Sequence, residues 1–126
     1  RLYMQIIISN NADKPIYEQI TSQVKAMIMN GELQAGDTIP SVRSLAKTLH
    51  VSVITVRKAY EELQRDGFIE TAVGRGSFVS AQNKEFYKEQ QQRLAEEYLQ
   101  MAADIGRMND IPLETLQELL AMFYGG

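Results

Sequence analysis

Ile39–Val79 reads IPSVRSLAKTLHVSVITVRKAYEELQRDGFIETAVGRGSFV, and the reading of this stretch decides the fold. Pro40 bounds an element, and Ser41 is a favoured N-cap for a helix running to about Leu49. Val42, Leu45, Ala46 and Leu49 recur at helical spacing and predict its buried face. His50–Val51–Ser52 is a tight turn, and Ser52 caps a second helix of the stretch, from about Val53 to Asp66 or Gly67. That helix buries Val56, Ala59, Tyr60 and Leu63 and turns Ile54, Thr55, Arg57, Lys58, Glu61 and Glu62 outward. Gly67 stops it. Phe68–Ala72 has the aromatic and β-branched content of a strand, and Val73–Gly74–Arg75–Gly76–Ser77 is a turn with two glycines. Phe78–Val79 begins the returning strand, so the stretch closes on a β-hairpin with a basic tip.

Upstream, Ile16, Ile20, Val24, Met27 and Ile28 step by four, four, three and one, which predicts a helix opened by Asp13–Lys14–Pro15 and stopped by Asn30–Gly31. Asn10–Asn11–Ala12–Asp13 has turn chemistry, and residues 5–8 form a short extended segment at most. Met4 reads as the natural start, with residues 1–3 foreign to it. Downstream, from about Asn83, Leu94, Tyr98, Met101, Ile105 and Met108 alternate steps of four and three, a heptad seam that Pro112 breaks. Leu113, Leu116, Leu119, Leu120 and Phe123 then form a shorter apolar face. Two regions result, residues 14–82 and residues 83–126.

The chain has 126 residues and a net charge of −3. The charge is uneven: +1 over residues 14–80 and −4 over residues 81–126. Arg43, Lys47, Arg57, Lys58, Arg65 and Arg75 cluster in the mildly basic middle, which suggests different tasks for the two regions. No cysteine is present, which excludes thiol catalysis and cysteine zinc sites and fits a cytoplasmic setting. One histidine, committed to a turn, leaves no triad or metal constellation, so neither an enzyme nor a cofactor is expected. Gly74-x-Gly76 lies between strands rather than before a helix, which argues against a nucleotide loop. No apolar run approaches the length of a membrane span, no signal peptide opens the chain, and no membrane partner is expected.

Two helices, a tight turn and a basic hairpin make a winged helix-turn-helix. The fold class expected is therefore mainly α with a small β-hairpin wing, followed by two C-terminal helices. In such a fold the first helix fixes the second at an angle that lets its N-terminal half enter the major groove of DNA. The free N–H groups of that end attract phosphate, and a wing arginine suits the backbone or the minor groove.

The sequence strongly resembles the GntR family of bacterial transcription regulators. Pro40–Ser41-x-Arg43, Leu45–Ala46, Val51–Ser52, Thr55–Val56–Arg57, Ala59–Tyr60, Leu63, Asp66–Gly67 and Gly74–Arg75–Gly76 carry the likeness, which begins near Lys14–Pro15–Ile16–Tyr17. Two helices after the wing resemble the short YtrA-type branch, often linked to transporter genes. The resemblance implies a homodimeric repressor on a palindromic double-stranded operator. It implies that Arg43 contacts phosphate or base, that Ser52 and Thr55 anchor the start of the recognition helix, and that Arg57 reads base or phosphate. It also implies that Gly74, Arg75 and Gly76 form a wing tip at the minor groove. Val53 and Ile54 stand where several relatives carry Arg and Thr, so readout there is expected to be apolar, for instance against thymine methyls. His50 replaces a frequent Gly, and His tolerates positive φ better than most residues.

Some assignments stay open at this level. Arg57 can pair with Glu61, and Lys58 either contacts DNA or pairs with Glu62. The seam, together with Leu116 and Leu120, is expected to form a dimer interface, against the alternative of packing back on the first helix. A small-molecule effector between the tail helices, near Tyr87, Tyr98, Phe123 and Tyr124, is the alternative to plain interface core. A winged helix devoted to protein–protein contact is the rival to DNA binding.

Overall fold

The computed structural model describes residues 4–10, 13–81 and 84–125, Phe86 by its backbone alone. Residues 1–3, 11 and 12 lie outside the described residues, and with them the reading of the natural start and part of the predicted turn. The element order is α1 (Ile16–Met29), α2 (Val42–Leu49), α3 (Val53–Arg65), β1 (Ile69–Ala72), β2 (Gly76–Val79), α4 (Lys84–Met108) and α5 (Leu113–Tyr124). The chain divides into two compact units, Arg1–Gln82 and Asn83–Gly126.

In the first unit α3 is covered by α1 and α2. Ile20, Val24 and Ile28 of α1, Leu45 and Ala46 of α2, and Val56, Ala59, Tyr60 and Leu63 of α3 are buried as the periodicity predicts. Each fully buried aliphatic side chain contributes about 1.5–3 kcal/mol. Val42, Leu49 and Ile16 are only half-buried, because each is the first or last residue of its helix. Loops supply further core: Leu33, Ile39 and Phe68 are almost fully enclosed. Gly67, at φ 82°, reverses the chain after α3, and the Phe68 N–H bonds back to the Leu63 carbonyl at 2.8 Å, which drives the Phe68 ring inward. Met4 and Ile6 are buried as well, a contribution periodicity misses because the segment is too short to show any. Gln23 and Gln19, one turn apart on α1, hold that segment by two-point amide bonds to the backbone of Ile7 and Ser9, at 2.7–2.9 Å.

The strands are antiparallel, with Ile69 opposite Val79 and Ala72 opposite Gly76. The turn is therefore shorter than the sequence suggests: Gly76 and Ser77 belong to β2, and Val73–Arg75 alone reverse the chain. Arg75 N–H closes it on the Ala72 carbonyl at 3.1 Å. The loop after α1 pairs with the other edge of β2 through Gly36 N–H to Val79 O (2.8 Å), Val79 N–H to Asp37 O (2.9 Å) and Ile39 N–H to Ser77 O (3.0 Å).

In the second unit α4 ends before Pro112 is reached. Asp110 takes a left-handed conformation (φ 55°), and Ile111 N–H caps the Gly106 carbonyl at 2.9 Å. Gly106 is buried against α5, where an added Cβ would lie 2.8 Å from Leu116 Cδ1. Leu99, Ala102 and Ala103 of α4 and Leu116, Leu120 and Phe123 of α5 line an apolar hollow of about 290 Å³. The heptad seam lies on a different side of α4, and Leu94, Tyr98, Met101, Ile105 and Met108 are between 42% and 84% exposed.

The buried Tyr60 hydroxyl donates to the Pro40 carbonyl at 2.7 Å, and burial pushes its phenol pKa well above the usual range. The neutral phenol is favoured in the folded state, so stability is constant in this respect below pH about 10 and falls as pH rises beyond it, where the unfolded chain deprotonates first. Tyr60→Phe is expected to cost about 1–3 kcal/mol at neutral pH in urea unfolding. It is also expected to flatten the alkaline decline.

Candidate nucleic-acid interface

The interface is built on two serine caps. Ser41 Oγ accepts from Ser44 N–H at 3.1 Å and starts α2, and Ser52 Oγ accepts from Thr55 N–H at 3.1 Å and starts α3. The Ser52 and Thr55 hydroxyls also bond each other at 2.8 Å. This pairing fixes both side chains and leaves the first N–H groups of α3 facing outward, the positive end of the helix dipole. Between the helices His50 sits at φ 57° and ψ 43°, the left-handed geometry the turn requires, and its side chain is exposed. Val51 N–H then bonds to the Ala46 carbonyl at 3.1 Å, which completes the corner.

This corner sets which faces of α3 meet solvent. Ile54 is 77% exposed at the first turn, Val53 is half-buried beside it, and Arg57 is exposed one turn on. An isoleucine so open at a helix start gains nothing from the core, which fits a surface awaiting a partner. Among the described residues the ion pairs are Lys25–Asp66 and Arg107–Asp104, so Arg57 is not bridged to Glu61 nor Lys58 to Glu62. Lys58 instead lies over the Tyr17 ring, 4.0 Å from its centroid. No sequence pattern assigns Tyr17 to the interface, because the pairing joins α1 to α3 across 41 positions. Arg43 is exposed in the first turn of α2.

At the wing, Gly74 and Gly76 take φ values of 80° and 77°, which require glycine, and Val73 stands fully open between the strands. Arg75 is turned toward the body of the unit: its guanidinium donates to the Gly36 carbonyl at 3.1 Å and lies 3.7 Å from the centre of the Phe78 ring. A cleft of about 290 Å³ separates Arg75–Ser77 from the start of α2 at Ser41 and Ser44. Arg43, Ser52, Thr55, Arg57 and Lys58 thus come from the helix pair, and Arg75 from the wing beside it. Among the described residues no group of three His, Asp or Glu side chains could hold a metal ion, and no helix is long and apolar enough to cross a membrane.

A family profile described as bacterial regulatory proteins, gntR family, matches residues 16–79, from the first residue of α1 to the last of β2. The chain belongs to the gntR family. It is a DNA-binding transcriptional regulator. It is 38% identical over 113 residues to the HTH-type transcriptional repressor YtrA of Bacillus subtilis (strain 168), covering 90% of this chain and 87% of that one. YtrA from Sulfolobus acidocaldarius, a GntR-family transcription factor, has a similar structure, with a TM-score of 0.63 and 35% identity over 75% of this chain and 96% of that one. The AraR DNA-binding domain, solved in complex with operator ORE1, aligns with a TM-score of 0.51 and 26% identity over 64% of this chain and 98% of that one. This gntR-family chain is therefore of the short YtrA type, and its named relatives are regulators rather than enzymes.

Ser52→Ala is expected to lower stability by about 1 kcal/mol through loss of the α3 cap. Ser52→Asp is expected to retain most of it. Urea denaturation of both variants checks this.

Proposed function

We propose that this regulator is a homodimeric repressor that binds a palindromic operator in the cytoplasm. The recognition helix is α3, with Val53, Ile54, Thr55, Arg57 and Lys58 toward the major groove and Ser52 fixing its start. Arg43 contacts phosphate or base from α2, and Gly74, Arg75 and Gly76 form the wing tip at the minor groove and its flanking backbone. The observation that carries the reading is the exposed start of α3, where Ile54 is open to solvent and Arg57 has no carboxylate partner among the described residues. Cations left unpaired on a folded surface keep their full charge for phosphates, and each phosphate contact steepens the salt dependence of binding. The likeness to a domain solved in complex with its operator supports DNA binding by the first unit.

Residues 14–82 act as the DNA-binding domain and residues 83–126 as the dimerisation segment. The large apolar side chains of the tail support this. Tyr98, Met101, Ile105 and Met108 on α4, with Leu94, are open, and so is Leu120 on α5, where Leu116 is half-covered. A surface of this kind is stable in water when a second copy covers it. Two heads related by a two-fold axis then read half-sites about one helical turn apart. The likeness to the YtrA-type branch supports a transporter-linked operon as the target.

Selection from a random duplex pool is expected to enrich a two-fold symmetric consensus. Enrichment of an asymmetric site would overturn the dimer, and no enrichment by folded protein at moderate salt would overturn the DNA contacts. Met101→Asp with Ile105→Asp is expected to convert a dimer to a monomer by sedimentation while leaving the melting of the first unit intact.

A further inference from the structure

Arg75 does not extend freely from the wing tip. One guanidinium nitrogen, Nη2, donates to the Gly36 carbonyl at 3.1 Å, and the guanidinium carbon lies 3.7 Å from the centre of the Phe78 ring. Phe78 is opposite Glu70 in the hairpin ladder, so the two share the face of the hairpin away from the buried pair Ile69 and Val79. Arg75 nonetheless forms no ion pair with Glu70, or with any carboxylate among the described residues. The difference matters electrostatically. A carboxylate would orient the arginine and cancel its charge. A ring face and a carbonyl orient it and leave the charge in place. Arginine has five N–H donors, so the bond to Gly36 leaves most of them for another acceptor.

Both supports are themselves fixed. Gly36 is at φ 88°, and its N–H bonds to Val79 O at 2.8 Å, which ties the accepting residue to the far edge of β2. Thr38 bridges Phe78 from the same side. The loop after α1, β2 and the wing tip therefore hold one another, and the guanidinium rests on that block rather than on a loose turn. A side chain as rich in rotamers as arginine loses entropy when it binds, and fixing it beforehand removes part of that loss.

We propose that Phe78 is the positioning residue of the wing: with the Gly36 carbonyl it holds Arg75 in a fixed, fully charged pose from which the free N–H groups meet the DNA backbone. This rests on the wing contact of the proposed function. Phe78 touches no DNA itself and acts through Arg75.

The test is a double-mutant cycle on the full chain, measuring affinity for a duplex enriched from the random pool and for a mixed-sequence duplex. Arg75→Ala is expected to weaken both and to reduce the log–log salt slope by about one. Phe78→Leu, which keeps apolar bulk without a ring face, is expected to weaken both by about two- to five-fold, the range of an exposed cation–π contact. Phe78→Tyr is expected to restore binding, and Phe78→Leu to have no further effect in the Arg75→Ala background. The ring-current shift of the Arg75 Hε resonance should vanish in Phe78→Leu and survive in Phe78→Tyr. An equal loss from Phe78→Leu in both backgrounds would overturn the proposal, since Phe78 would then serve only the fold. No loss from Phe78→Leu beside a clear loss from Arg75→Ala would overturn it while sparing the wing contact. No loss from Arg75→Ala would overturn the wing contact itself and the proposal with it.

Discussion

Burial of one face of α3 is the constraint from which the rest of the first unit follows. Val56, Ala59 and Leu63 are fully enclosed, which demands helices on two sides, and α1 and α2 supply them. A helix packed on two sides by its own fold retains one side for a partner. The Tyr60 hydroxyl, bonded to the Pro40 carbonyl, ties the middle of α3 to the start of α2 and so fixes the angle of the helix-turn-helix. A left-handed His50 and the Ser52 cap set where α3 begins, and therefore which residues stand at its exposed end.

Charge is handled differently on the two sides of this unit. Lys25, on the side of α1 near the end of α3, is bridged to Asp66 at 2.9 Å and lies near the Phe68 ring. Lys58 and Arg75 rest on the rings of Tyr17 and Phe78 with no carboxylate bridged to them among the described residues. A net charge of −3 over the whole chain thus hides a surface on which Lys58 of α3 and Arg75 of the wing are oriented but not neutralised. Whole-chain charge is a poor guide to nucleic-acid binding when an acidic tail offsets a basic head.

The tail helices present two apolar faces rather than one. Gly106 lets α5 approach α4 closely at Leu116, and Leu99, Ala102 and Ala103 form the side of α4 that α5 covers. The heptad seam is a separate stripe, left open beside that contact. A helix pair can therefore be formed within one chain without consuming the α4 seam, although Leu116 and Leu120 of the proposed dimer surface also line the hollow between α4 and α5.

Helix starts, the turn, the hairpin and the buried stripes were legible in the sequence, because they rest on local rules: serine caps, glycine stops and helical periodicity. Turn chemistry marked His50 as a residue of the turn, and the resemblance to the GntR family marked Arg43, Arg57 and Arg75 as candidate contacts. Local rules could not foresee that Asp110 ends α4 ahead of Pro112, since a left-handed aspartate leaves no periodic trace. Nor could they assign Tyr17, Phe78 and Gly36 to the interface. Tyr17 and Gly36 act on cations 41 and 39 positions away, and Phe78 meets Arg75 only once the hairpin turn has formed. The sequence determines which residues are apolar, which are charged and where helices begin. Tertiary structure alone decides which ring lies under which cation, because only folding brings α1 onto α3 and the loop after α1 onto the wing.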